Sequence, residues 1–530
     1  MTVEKTPEEA ARSKRAHADS MILMGAVTTV AALVAAWIAM SGRGDVPDWM
    51  FGGRRAERAA VGDWTNRPAA VHFEEWGPAP FARAKKEGKL VLLFLGPTFS
   101  APTARMEAET FGDPETAALA DGRFVPVRVK SEDYPDLDRR YRAGGWPTTA
   151  VLLSDGVPLA AGKAMTPLVF RTWASALADK AASHPEILAR VDGEAAENRR
   201  APLPAAVAMD AAEAERRAQA ALYAQWDPAR RTFDRAGPRF PRFERIAALR
   251  ALKPSWARDL AQEAAKGALI FQDAKEGGFR RAANPDGSPA AREILASDQA
   301  ASLDALCGAL PDSARKELGF LDKYFMSPAP PSWRGWQTGY ALSADGRRGS
   351  DGHAFVGGRR PQGWPRIAEA AELSRAVLSC PQASAAQKAF AKRALARAWS
   401  DFGKAALARS PRLLLDDAVG LGGALLAAGR PEDALSVWRW MDANLAAGPA
   451  FLDRLATGVL PPDMDRVADP ALNARALTFM IRLLRDQPGA ARQNGLVRRN
   501  RELYAWLSAR AESLDPAVWA ALAASQNNPL

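Results

Sequence analysis

Apolar residues follow three different patterns along this chain. From Met21 to Met40 they run for twenty positions without a charge. Between Lys89 and Pro147 they form short continuous runs of strand length. From Ala205 onward they recur at helical spacing among Ala, Leu and Arg, with Gly and Pro between the segments. The middle pattern organises the rest. Lys89–Leu95 reads as a buried strand, broken by Gly96 and Pro97, and a helix can start near Ala104. Phe124–Val129 is a second strand. Gly144–Pro147 is a turn, Thr148–Leu153 a third strand, and Val157–Ala161 a fourth, followed by a helix over Pro167–Ala182. Ahead of them, Val71–Trp76 predicts a short strand and Pro80–Glu87 a helix.

Strand, loop, helix, strand and then an X-Pro turn into a strand is the order of a thioredoxin fold. Pro147 is then expected in cis, facing the loop Pro97–Pro102, an isomer that tertiary contacts must hold. In such a fold the loop carries redox chemistry through two cysteines two residues apart, at a helix start whose dipole lowers the thiol pKa. Here the two positions are Ser100 and Thr103. A hydroxyl has no accessible disulfide state, so the fold signal survives without its chemistry.

These residues resemble the spermatogenesis-associated, thioredoxin-like family. Its pattern is close to GYSTCHWCHVMERESF, then FVPIKVDREERPDID, then GGWP. The chain agrees at Gly96, Met106, Glu107, Glu109 and Phe111, again at Phe124, Val125, Pro126, Val129, Glu132, Pro135, Asp136 and Asp138, and through Gly144–Pro147. The family's cysteines fall on Ser100 and Thr103, and its flanking histidines on Ala101 and Ala104. The resemblance implies a thioredoxin-like domain over 71–183 and a six-hairpin, glycosidase-like (α/α)6 toroid over 205–530.

The second half suits that expectation. Segments such as Ala211–Gln225, Trp256–Phe271, Ile367–Leu378, Ser384–Ala408, Asp417–Ala428 and Leu472–Asp486 read as paired helices, as in an α/α toroid or a solenoid. No fixed period demands the solenoid. Family signposts recur more loosely here, in Pro238–Pro241, Gly277–Arg280, Ser343–Asp345, Leu415–Asp417 and Pro470–Asn473. Of the motif PHFEKMLYDNA only Asp298 and Ala300 remain.

Residues 21–41 read as an uncleaved transmembrane anchor: twenty helical residues span roughly 30 Å, the thickness of a bilayer core. A polar tail over 1–20 precedes it and a Gly/Arg/Pro linker over 42–70 follows. Four basic residues flank each side (Lys5, Arg12, Lys14, Arg15 against Arg43, Arg54, Arg55, Arg58). Lys14 and Arg15 lie nearest the span, which favours a cytoplasmic N-terminus. The fold class expected overall is an N-terminal transmembrane helix, an α/β thioredoxin-like domain and an all-α toroid. The expected setting is a bacterial-type inner membrane, single-pass, with the bulk of the chain extracytoplasmic.

The 530 residues carry a net charge of +10, but the arginines are dispersed and no nucleic-acid module is present. The two cysteines, Cys307 and Cys380, lie in Ala/Leu-rich helical contexts and read as buried free thiols. The four histidines have no ligand spacing among them, so neither metal nor cofactor is expected. Glu132, Asp133, Asp136 and Asp138 read as a solvated turn that caps the next helix. Asp298, Asp345, Asp416 and Asp417 are candidate carboxyls for glycoside or epimerase chemistry, which needs an acid and a base flanking one sugar carbon or bond. Their structural alternative is N-capping. Trp333, Trp336 and Trp364, in the Gly/Pro-rich stretch 327–366, offer faces for stacking on a sugar-like ligand. Two function classes follow: a binding or scaffold protein with decayed sites, holding a sugar-like ligand or a protein partner, or a carbohydrate-active enzyme using the carboxyls of the helical half. A thiol-disulfide role matches the family's loop and fails on Ser100 and Thr103.

Overall fold

The computed structural model describes residues 69–97, 100–200, 211–235, 237–288, 290, 293–326, 339–341, 366–455, 467–487, 489, 495–508, 518 and 522. Its first part runs β1 (Glu74–Glu75), α1 (Pro78–Glu87), β2 (Leu90–Leu95) and α2 (Ala101–Arg105), which passes into a π-helical turn, Met106–Thr110. Then come α3 (Pro114–Arg123), β3 (Phe124–Val129), α4 (Pro135–Tyr141), β4 (Thr148–Leu152), β5 (Pro158–Gly162) and α5 (Pro167–Ser183). The sheet order is β1-β3-β2-β4-β5. β2 pairs parallel with β3 and antiparallel with β4, in which Leu93 faces Val127 on one side and Ala150 on the other. This is a thioredoxin-like sheet, and the Trp146–Pro147 peptide is cis.

The unbroken apolar run of β2 follows from its central place, because both faces are covered. Val91, Leu93 and Leu95 pack with Val125, Val127, Phe81 and Leu137. Leu92 and Phe94 pack with Phe111, Met106 and Phe170 on the other face. Each such side chain, fully buried, is worth roughly 1.5–3 kcal/mol.

After α6 (Pro185–Arg200) and α7 (Ala211–Gln225) the chain becomes a two-layered helical unit. One row consists of α8 (Phe243–Ala251), α10 (Ala296–Leu306), α12 (Ile367–Ser379), α14 (Leu415–Ala427) and α16 (Pro470–Asp486), each packed on the next. Behind them lie α9 (Ser255–Ala268), α11 (Pro311–Tyr324), α13 (Ala385–Leu407), α15 (Pro431–Asn444) and α17 (Leu496–Ser508), each packed on the inner helix before it. Glu244 of α8 and Arg475 of α16 are close enough to interact electrostatically, so the first and last of these inner helices approach each other. The arrangement is consistent with an α/α toroid. Close packing of the inner row is set by residues such as Gly422, where a Cβ would run into the Phe479 ring.

Two expectations need correction. Among the described residues no helix is long and apolar enough to cross a membrane. The span 21–41 lies outside the described residues. The fold is therefore an α/β unit plus a helical unit, and the transmembrane helix and the single-pass inner-membrane setting are not supported. Cys307 and Cys380 are not free thiols. They form a disulfide with Cα atoms 5.6 Å apart. Each caps the C-terminus of an inner helix, α10 and α12 respectively, and those helices are neighbours. Adjacent parallel helices bring their C-termini side by side, a juxtaposition that residues 73 apart in sequence do not announce.

Candidate functional site

The two positions that would hold redox chemistry are buried. Ser100 is the N-cap of α2 and is 6% exposed, and Thr103 is 1% exposed. A Cβ at Gly96 would lie 2.7 Å from the Thr103 hydroxyl and 3.4 Å from the Pro147 Cα, so glycine is what allows the three segments to meet. Thr103 thus occupies the place opposite the cis proline, with Ser100 one helical turn earlier. Neither carries a thiol, and the site has no dithiol couple.

The elements next to that loop do something else: they dock on the helical unit. Pro135 opens α4, whose first turn carries Asp136 and Asp138. Both are buried, at 4% and 7%, and not part of a solvated turn. Asp138 accepts from Ser131 Oγ at 2.8 Å and from Trp146 Nε1 at 2.6 Å, which ties the cis-proline turn to α4. Asp136 forms an ion pair with Arg454 of the helical unit, where both side chains are 3–4% exposed. Arg412 donates to the Tyr134 hydroxyl at 3.2 Å, and the Arg281 guanidinium lies 3.9 Å from the centre of the Trp146 ring. Arg139, the next turn of α4, directs Nη1 towards Asp416 at 3.9 Å.

Around Asp416 the start of α14 meets α12 and α16. Arg475 donates to Asp416 Oδ1 at 2.7 Å and pairs with Glu372. Arg366 reaches Asp416 Oδ2 at 3.5 Å and Glu369 at 2.8 Å. Asp417 accepts from the Leu414 N–H at 3.1 Å, capping its own helix, and from the Ala368 N–H at 2.9 Å at the start of α12. Asp417 therefore ties two helix N-termini together. Burial, and then Asp416, push its pKa up to about 6. Arg475 keeps 43% of its side chain accessible, yet burial, and then Arg139, pull its pKa down to about 10.

The sequence candidates fare unequally. Asp416 and Asp417 come together on α14. Asp298 stands in the first turn of α10, two inner helices away. Asp345, Trp333, Trp336 and Trp364 lie outside the described residues. The sequence reading missed Arg139, Arg366, Arg475 and Asp453. Asp453 is 4% exposed and accepts from the Asp469 N–H at 2.8 Å; burial pushes its pKa up to about 7. Nothing in a dispersed arginine pattern marks the three arginines, and nothing in the local sequence marks Asp453. Only the Pro-Asp-Leu-Asp start of α4, shared with the family, could have drawn attention to that helix.

A thioredoxin-like fold without thiols, docked through α4 on a two-layered helical unit, defines the class. Residues 64–187 match the profile of a thioredoxin-like family described as a protein of unknown function, DUF255, and this segment carries that family's domain. Spermatogenesis-associated protein 20 of Rattus norvegicus is 32% identical over 105 residues. The matched segment is 18% of this chain and 13% of that protein's length. Among solved structures, a sugar epimerase from a ruminal bacterium is similar with a TM-score of 0.40 and 11% identity, covering 56% of this chain and 86% of its own. Cellobiose 2-epimerase from Spirochaeta thermophila is similar with a TM-score of 0.40 and 12% identity, covering 56% and 83%.

Proposed function

We propose that this protein is a non-redox, thioredoxin-like protein whose helical unit binds a polar, sugar-like ligand without turning it over. One observation carries the reading: the conspicuous carboxylates are already committed. Asp416 is held by Arg475 and Arg366, and Asp417 by two backbone N–H groups. A general acid or base must be free to exchange a proton with substrate. Removing such a group typically lowers a rate roughly 10²–10⁴-fold, whereas binding by hydrogen bonds and stacking can persist. The thioredoxin-like domain then serves as a docking piece. Its cis-proline turn and α4, the face next to the vanished thiols, are turned towards the protein's own helices.

A second reading is favoured by Asp453. A buried carboxyl whose pKa is about 7 is suited to proton transfer, and it interacts electrostatically with Asp416. Under this reading the helical unit is a carbohydrate-active enzyme. The two are separated by screening mono- and oligosaccharides for binding by calorimetry and for product by chromatography. Binding without product supports the first reading. Product formation abolished by Asp453→Asn or Asp298→Asn, with circular dichroism unchanged, establishes the second and overturns the first.

A further inference from the structure

We infer that the space between α4 and the inner helices receives a small polyol bearing an oxyanion, carboxylate or phosphate, gripped side-on by Arg139. This rests on the reading of the helical unit as a binder of a polar ligand and names the ligand's charge. Donors and acceptors around Arg139 do not match. Arg139 turns Nη1 towards Asp416, but at 3.9 Å this is an ion pair and not a hydrogen bond. Its Nε and Nη2 are buried and, among the described residues, have no hydrogen-bond partner. Those two N–H groups form one edge of the guanidinium, the edge whose spacing matches two oxygens of a carboxylate or phosphate. Leaving both unpaired in a buried place is costly.

The neighbouring acids do not supply what is missing. Asp416 is engaged by Arg475 and Arg366, Glu369 by Arg366, and Glu372 by Arg475. Asp417 is occupied by backbone N–H groups, and Asp453 by the Asp469 N–H. Burial favours the neutral form of Asp453, so it compensates the Arg139 charge only in part. Asp136 Oδ1, one turn earlier on α4, is likewise buried without a hydrogen bond among the described residues, but Asp136 is already ion-paired with Arg454. The two Arg139 N–H groups are left over, and a ligand that completes them must bring acceptors. Access is available because 24% of the Arg139 side chain and 43% of the Arg475 side chain are exposed. Hydroxyls of the same ligand would then lie along α16, towards Arg482. That residue is two turns on, roughly 10 Å along the helix. There burial, and then Arg375, lower its pKa.

The test is calorimetry on the full chain with glucuronate, glucose 6-phosphate and uncharged glucose. The expected result is binding of one or both charged sugars at least tenfold tighter than glucose. The two charged arms distinguish carboxylate from phosphate. Arg139→Gln is expected to weaken the charged ligand at least tenfold while leaving glucose unaffected. Arg139→Lys, which keeps the charge and loses the fork, is expected to fall between. If Arg139→Gln does not fold, the lysine variant decides. Equal binding of glucose and its charged counterparts would overturn this inference and leave the polar-ligand reading standing. Binding of none of the three would overturn both. Undiminished binding of the charged sugar by folded Arg139→Gln or Arg139→Lys would also overturn the inference.

Discussion

Opening the Cys307–Cys380 bridge should destabilise the helical unit by roughly 4 kcal/mol. The bridge closes a loop of 73 residues, and the chain-entropy relation gives about 15 cal/mol/K for a loop of that length, or about 4.4 kcal/mol at room temperature. The native geometry supports a value near the full one, because 5.6 Å between Cα atoms is within the ordinary range for an unstrained bridge. The helix ends it joins are also held by Arg250, which donates to the carbonyls of Ala305 at 2.7 Å and Cys307 at 2.9 Å. Reduction therefore acts mainly by freeing the unfolded chain. Set against a typical total of about 5–15 kcal/mol, the effect is large. In a unit of this size it corresponds to roughly 8–16 °C in melting temperature. The assay is calorimetric melting of the oxidised protein, of the protein with reductant, and of Cys307→Ala/Cys380→Ala, together with thiol titration in denaturant. The last two samples should melt together, well below the first. Two reactive thiols in the unreduced, denatured protein would refute the reasoning at its root. A shift under about 1 kcal/mol would refute the entropic account.

Three further outcomes are expected. Arg454→Met should cost about 3–5 kcal/mol of docking or folding stability, because it leaves Asp136 charged and buried; adding Asp136→Leu should restore most of the loss, and a double variant no better than the single would show that the pair is not the contact that matters. The raised pKa of Asp453 means that the folded state holds a proton more firmly than the unfolded chain. Its contribution is thus fully present below about pH 4 and is lost as pH rises through about 7, with a slope of at most about 1.4 kcal/mol per pH unit. Asp453→Asn should flatten the stability profile between pH 5 and 7, and parallel profiles for the two proteins would count against a raised pKa. In dithiothreitol-driven insulin reduction the protein should not exceed the Cys307→Ala/Cys380→Ala variant, since Ser100 and Thr103 stand where the thiols would be; a rate above that control would restore a redox role.

The sequence by itself determined the thioredoxin-like half. β2 is buried on both faces, so its apolar run is continuous; Gly96–Pro97 ends it, and the Gly-Gly-Trp-Pro turn locates the cis proline. Local patterning also fixed most of the helices, because amphipathic spacing is a short-range property. It is visible in α7 at Ala211–Gln225 and in the Ser384–Gln387 capping box before α13. That the two positions carry hydroxyls and not thiols needed only the identities at 100 and 103. What decided the rest was contact between residues far apart in the chain. Asp136 looks like a solvated acid until Arg454 is brought to it across 318 positions. Cys307 and Cys380 look like two separate buried thiols until neighbouring inner helices align their ends. Asp417 looks like a catalytic candidate until the Ala368 N–H takes its second oxygen. Arg139 is one of many arginines in a row of letters. It becomes a site only because α4 seats it over the N-terminal ends of helices that begin more than two hundred residues later, where burial turns an unpaired N–H from an ordinary surface group into a binding capacity.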